Sequence, residues 1–77
     1  MTASQNDRDV TSEIVSIAMA KVANRDGWLA HEVEADPVQK RGDNWVVWIW
    51  RLPRMPGGDR TVVISSDKKV VGYYYGR

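Results

Sequence analysis

The chain has 77 residues, a mass of 8.7 kDa and a formal net charge of +1. That length holds one domain; it excludes doubly wound sheets, (β/α) barrels and two-domain enzymes with a cleft between their halves. With 43% hydrophobic and 27% charged residues, the composition is that of a globular chain and not of a disordered one.

The first nine residues, Met1 to Asp9, are polar and lack the apolar stretch of a signal peptide. Residues 1–8 are read as a disordered tail and 9–77 as a single α+β domain. A periodic segment then runs from about Val10 to Arg25. Asp9, Thr11 or Ser12 supplies its N-cap, and Glu13 falls in the first turn. On a helical wheel Val10, Ile14, Val15, Ala18, Met19 and Val22 share one face, with Glu13, Ser16, Ala20, Ala23 and Asn24 opposite. Gly27 ends the helix as a left-handed cap, and Trp28 follows where such caps make their apolar contact.

After Trp28 the chain reads as strand and turn. Glu32, Glu34 and Asp36 alternate with Val33 and Ala35, the pattern of a half-buried strand with an acidic outer face. A tight turn follows at Gly42-Asp43 or Asp43-Asn44. Asn44 to Leu52 is the strongest strand. Pro53, Pro56, Gly57 and Gly58 form a longer connection, with Arg54, Met55 and Arg60 read as its rim. Strands at Arg60–Ser65 and Val70–Tyr75, joined by a turn at Ser66 to Lys69, complete the order α-β-β-β-β. The fold class expected is α+β, one N-terminal helix packed on a four-stranded antiparallel meander.

One helix covers one face of such a sheet. The central strand nevertheless has no polar side: Val46, Trp48 and Trp50 point one way, and Trp45, Val47 and Ile49 the other. The turn alternatives give opposite registers, so the sequence leaves open which set faces away from the helix. Either way, an apolar patch of roughly a few hundred Å² is left outside it, large enough to mark an interaction site.

Charge is distributed unevenly. Residues 1–39 carry three basic and seven acidic groups, and residues 40–77 carry eight basic and three acidic groups. Neutralisation between neighbouring strands is the simplest reading, and a basic C-terminal face toward an acidic partner is the sharper one.

The segments Gly42-Asp43-Asn44-Trp45-Val46-Val47, Arg60 to Asp67 and Lys69-Val70-Val71-Gly72-Tyr73 resemble the end of PepSY-type domains. They are also similar to the small immunity-type members of the nuclear transport factor 2-like group. The resemblance spans about residues 10–75 and implies a cystatin-like fold, a curved antiparallel sheet gripping one helix, with a non-catalytic binding role. The chain departs from these families in lacking glycine in its last turn, Ser65 to Lys69, and in showing no export signal. Its length also leaves no room for the three helices and deep pocket of a full nuclear transport factor 2-like domain. The resemblance carries over no active site.

Chemistry-bearing residues are sparse. There is no cysteine and one histidine, so neither disulfides nor a histidine-cysteine zinc site is expected, and no cofactor or metal is assigned. His31 reads as a solvated or capping residue. Glu32, Glu34 and Asp36, ~6–7 Å apart along one strand face, read as a solvated row paired with Arg51 and Lys40. Arg41-Gly42-Asp43 reads as a hairpin tip, and Gly57-Gly58 as a linker, because a phosphate cradle opens a helix and the next element here is a strand. No nucleophile and base pair emerges, so the chain is read as a non-enzyme.

Aromatic residues interleaved with arginine carry the remaining signal. Trp45, Trp48, Trp50, Arg51, Tyr73, Tyr74 and Tyr75 are the candidate binding residues. They suit a protein-binding or inhibitory module, or a homodimer whose open sheet face is self-complementary. A single-strand nucleic-acid platform uses similar residues, but no RNA-binding signature is present and the pI of about 8.1 argues against it. The longest strongly apolar run, Trp45–Trp50, is far shorter than the ~20 residues that span a bilayer. The expected setting is cytoplasmic, with no membrane partner.

Overall fold

The computed structural model describes residues 3–76, with side chains from Val10 onward. Helix α1 spans Ala3–Asp26. A single 3-10 turn, Ala30–Glu32, leads into strands β1 (Val33–Ala35), β2 (Gln39–Arg41), β3 (Asn44–Arg51), β4 (Asp59–Ile64) and β5 (Val70–Tyr75). All strand pairs are antiparallel, in the order β1-β3-β4-β5, with β2 also on β3. The architecture is therefore α+β, with one helix on an antiparallel sheet.

Two boundaries differ from the sequence expectation. The helix is already formed at Ala3, so Asp9, Thr11 and Ser12 lie inside it and do not cap it. Of the tail expected over residues 1–8, residues 1 and 2 lie outside those described. The first strand is also split. Ala35 pairs with Ile49 and Gln39 with Val46, so four steps on one strand oppose three on the other. Pro37 sits in that extra length; it has no N–H to give to the ladder, and a bulge replaces continuous pairing. Five strands result where four are expected.

Gly27, at φ 72°, ends α1, and its N–H reaches the Ala23 carbonyl at 3.0 Å. The β2–β3 turn is Gly42-Asp43, with the positive φ of 59° on Gly42 alone. That is the pattern of a type II′ hairpin, which places glycine first. Arg41-Gly42-Asp43 is accordingly the hairpin tip.

Ile14, Ala18 and Val22 form the wholly buried stripe of α1, at i, i+4 and i+8. They pack on Val47, Ile49, Val62 and Ile64, which are equally buried, with Trp28 and Val33 closing one end. Ile17 joins the rim of this core, whereas Val15, expected on the apolar face, is not among the packed residues. Trp45, Val47 and Ile49 thus face the helix. Val46, Trp48 and Trp50 face away.

The end of α1 is pinned to the sheet by one half-buried cluster. Arg60 pairs with Asp26 at 2.9 Å, donates to the Gly57 and Asp59 carbonyls, and lies 4.3 Å from both the Trp28 and Tyr75 ring centres. The Tyr73 hydroxyl donates to the same Asp26 carboxylate. An acidic residue in the last turn opposes the helix dipole, and these partners offset that. Burial raises the Asp26 pKa, but the Tyr73 and Arg60 hydrogen bonds and the Arg60 and Arg25 charges outweigh it and hold the carboxyl below its usual range. Arg60 is therefore a structural residue and not a loop rim.

Candidate binding surface

Strand register sets out the helix-free face as three rows. Glu34, Trp50 and Asp59 form one. Asp36, Trp48, Thr61 and Tyr74 form the second, with the Asp36 N–H on the Trp48 carbonyl at 2.9 Å. Gln39, Val46, Val63 and Gly72 form the third. Trp48 sits at the centre and remains 38% exposed. It and Tyr74 flank Thr61, so they stand about 10 Å apart across two strand spacings. A Cβ on Gly72 would fall 2.8 Å from the Tyr74 ring, so the ring folds back over that bare glycine.

The β1 side of this face is tied into a polar rim. Arg54 donates to Glu34 at 2.6 Å and to Asp36 at 2.9 Å, and its guanidinium lies 5.0 Å from the Trp50 ring centre. The Trp50 indole N–H donates to Asp36 at 3.0 Å. The Arg54 hydrogen bond is the chief cause holding the Asp36 carboxyl below its usual value; burial opposes it, and the Trp50 bond and Arg54 charge assist it. These groups satisfy one another, which fixes the Trp50 ring and leaves Trp48 as the central unengaged aromatic residue.

Two expectations are corrected here. Glu34 and Asp36 pair with Arg54, not with Arg51 or Lys40, because the loop after β3 returns Arg54 over the helix-free face while Arg51 and Lys40 point to the other. Glu32 belongs to the 3-10 turn, where its carboxylate accepts the Leu29 N–H at 3.0 Å. As strand alternation implies, the candidate residues divide between two faces. Trp48, Trp50 and Tyr74 come together on the helix-free face. Trp45 is half-buried on the helix side with Lys40 Nζ 4.6 Å from its ring, Arg51 lies 5.7 Å from the Trp28 ring, and Tyr73 and Tyr75 meet edge-on at 5.8 Å beside Arg60. Sequence reasoning missed Thr61 and Val63 as members of the face. Strand alternation carried part of that signal, but only with the register known.

Hollows lie elsewhere among the described residues. A groove of about 520 Å³ at the β3–β4 connection is lined by Trp28, Arg51, Leu52, Met55 and Pro56 among others. A second, of about 400 Å³, lies between Val10, Thr11, Val38, Lys40 and Trp45. Neither brings an acid and a base together. His31 is exposed in the 3-10 turn. Among the described residues no three His, Cys, Asp or Glu side chains gather as metal ligands, and no helix is long and apolar enough to cross a membrane. No protein-family model, curated protein or solved structure matches the chain.

Proposed function

We propose that this chain is a small non-enzymatic protein-binding or inhibitory module whose working surface is the helix-free face of its sheet. The observation that carries this reading is Trp48: a large aromatic residue, central on a face that no described element covers, surrounded by Val46, Val63, Thr61 and Tyr74. Tryptophan and tyrosine at the centre of a patch, with polar groups around it, is the arrangement in which a few residues supply most of an interface's affinity. The helix gripped by an antiparallel sheet supports the cystatin-like reading and its binding role.

Charge favours a protein over a nucleic acid. The rows around Trp48 and Trp50 carry Glu34, Asp36 and Asp59, with Arg54 already bonded to two of these carboxylates. Phosphates approaching this end would meet like charge. The partner that fits presents an apolar patch flanked by a basic group.

Affinity capture with the wild-type chain, Trp48→Thr and Met55→Ser as parallel baits tests the reading. A protein retained by wild type and Met55→Ser but lost by Trp48→Thr supports it. Equal retention by all three, or loss only with Met55→Ser, contradicts it and moves the site to the groove.

A further inference from the structure

The two edges of the sheet differ in kind. The β1/β2 edge is broken by the bulge at Pro37 and carries Glu34, Asp36, Lys40 and Arg41, devices that keep an edge from accepting another strand. The β5 edge carries no charged residue and no proline, and its register shift, an extra residue at Val71 opposite the Val63–Ile64 step, leaves Gly72 to Tyr75 in regular pairing with β4. Its sequence, Val70-Val71-Gly72-Tyr73-Tyr74-Tyr75, is uncharged, free of proline and rich in strand formers, and Val71 and Tyr75 are 58% and 61% exposed. Among the described residues no strand pairs with its outer side.

Main-chain direction on β5 follows from one bond. The Gly76 N–H reaches the Asp59 carbonyl at 2.9 Å, so that pair and every second one after it turn their N–H and C=O groups toward β4. Gly72 and Tyr74 belong to this set. Tyr73 and Tyr75 therefore turn theirs outward, where no described strand receives them.

We propose that the β5 edge is where two copies of this chain join, β5 against β5, antiparallel about a two-fold axis at Tyr73. A strand pairing with its own copy is self-complementary by symmetry, and β5 brings no charge to oppose itself. Each chain has one competent edge, so addition closes at two copies and does not run on into a fibre. The two-fold keeps like faces together, so Gly72 of one copy stands opposite Tyr74 of the other and the two helix-free faces become one continuous surface. This joint is separate from the partner-binding face and does not depend on it.

Amide exchange with sedimentation equilibrium tests the joint. The expected mass is twice 8.7 kDa, with Tyr73 and Tyr75 amides protected to within about tenfold of the Tyr74 amide. A synthetic chain N-methylated at the Tyr73 amide, which leaves the pairing with β4 intact, is expected to sediment as one chain; exchange of the unmodified protein decides the matter if that chain does not fold. Trp48→Thr is expected to keep the doubled mass. The proposal is overturned by a mass of one chain for the unmodified protein, or by free exchange at Tyr73 and Tyr75 beside protected Gly72 and Tyr74. It is equally overturned by a folded N-methyl chain of doubled mass, or by a Trp48→Thr variant that separates the two copies.

Discussion

Trp48 and Ile49 are consecutive on β3 and lie on opposite sides of the sheet: Ile49 has no exposed surface, and Trp48 keeps 38% of its own. Ile49 contacts the helix stripe through the core, whereas Trp48 looks onto strands and solvent alone. Strand alternation turns two equally apolar neighbours into one residue that holds the fold and one that is left for contact.

Ile49→Ala is accordingly expected to lose about 2–5 kcal/mol, the range for emptying a fully packed aliphatic site. A domain of this size has a net core contribution of only ~3–5 kcal/mol, so much of the variant is unfolded at room temperature. Trp48→Thr, which keeps a good strand former, is expected to change stability by less than about 1.5 kcal/mol, the scale of a few cross-strand contacts. Urea unfolding measures both; a larger loss for Trp48→Thr than for Ile49→Ala contradicts the assignment of faces.

The Asp26 bond with Arg60 and Tyr73 makes the helix end sensitive to acid. Its folded pKa lies below the unfolded value of 3.8, so the stabilisation is complete above that value and is lost as pH falls through the folded one. Asp26→Asn is expected to be about 1–3 kcal/mol less stable than wild type at neutral pH, with a flatter stability curve below pH 3.8. Parallel curves for the two proteins contradict the pin.

Much of this pin was hidden in the sequence. The wheel from Val10 to Val22, the cap at Gly27 and the strands through Tyr75 are local patterns, and the structure contains them. Arg60 and Asp26 stand 34 residues apart, and no local pattern links a loop-end arginine to a helix-end aspartate. Arg54 is similar: its partners Glu34 and Asp36 were visible as a carboxylate row, but the return of the connection over β1 is a tertiary event. Pro37 did carry a readable signal, since a proline inside a strand pattern argues for a bulge. The uncovered face was legible from Trp45 to Trp50; its orientation required the Gly42-Asp43 turn.

Tyr73 reports the same cluster from the basic side. Burial, followed by the bond to Asp26, pushes its hydroxyl far above the ordinary 10.0. Stability from this group is complete below 10.0 and is lost as pH rises toward the folded value. Absorbance titration of wild type and Tyr73→Phe is expected to give equal tyrosinate signals just above pH 10.0 while both remain folded. One additional tyrosinate in wild type contradicts the burial of this hydroxyl.

The rim bond between Trp50 and Asp36 is open to direct observation by NMR. The Trp50 indole N–H resonance is expected to move with Asp36 protonation, at a pH below the ordinary 3.8. Arg54→Ala removes the chief cause of the depression, so the midpoint then moves up toward 3.8. An indole resonance indifferent to pH, or a midpoint unchanged in Arg54→Ala, shows the rim to be unformed in solution.

The most direct measurement of the binding role is the dissociation constant of the captured protein partner for wild type and for Trp48→Thr, each at a temperature where urea unfolding shows it folded. Loss of a central aromatic anchor is expected to weaken binding by at least about tenfold, or ~1.4 kcal/mol. An unchanged constant in the folded Trp48→Thr chain contradicts the assignment of the helix-free face as the working surface.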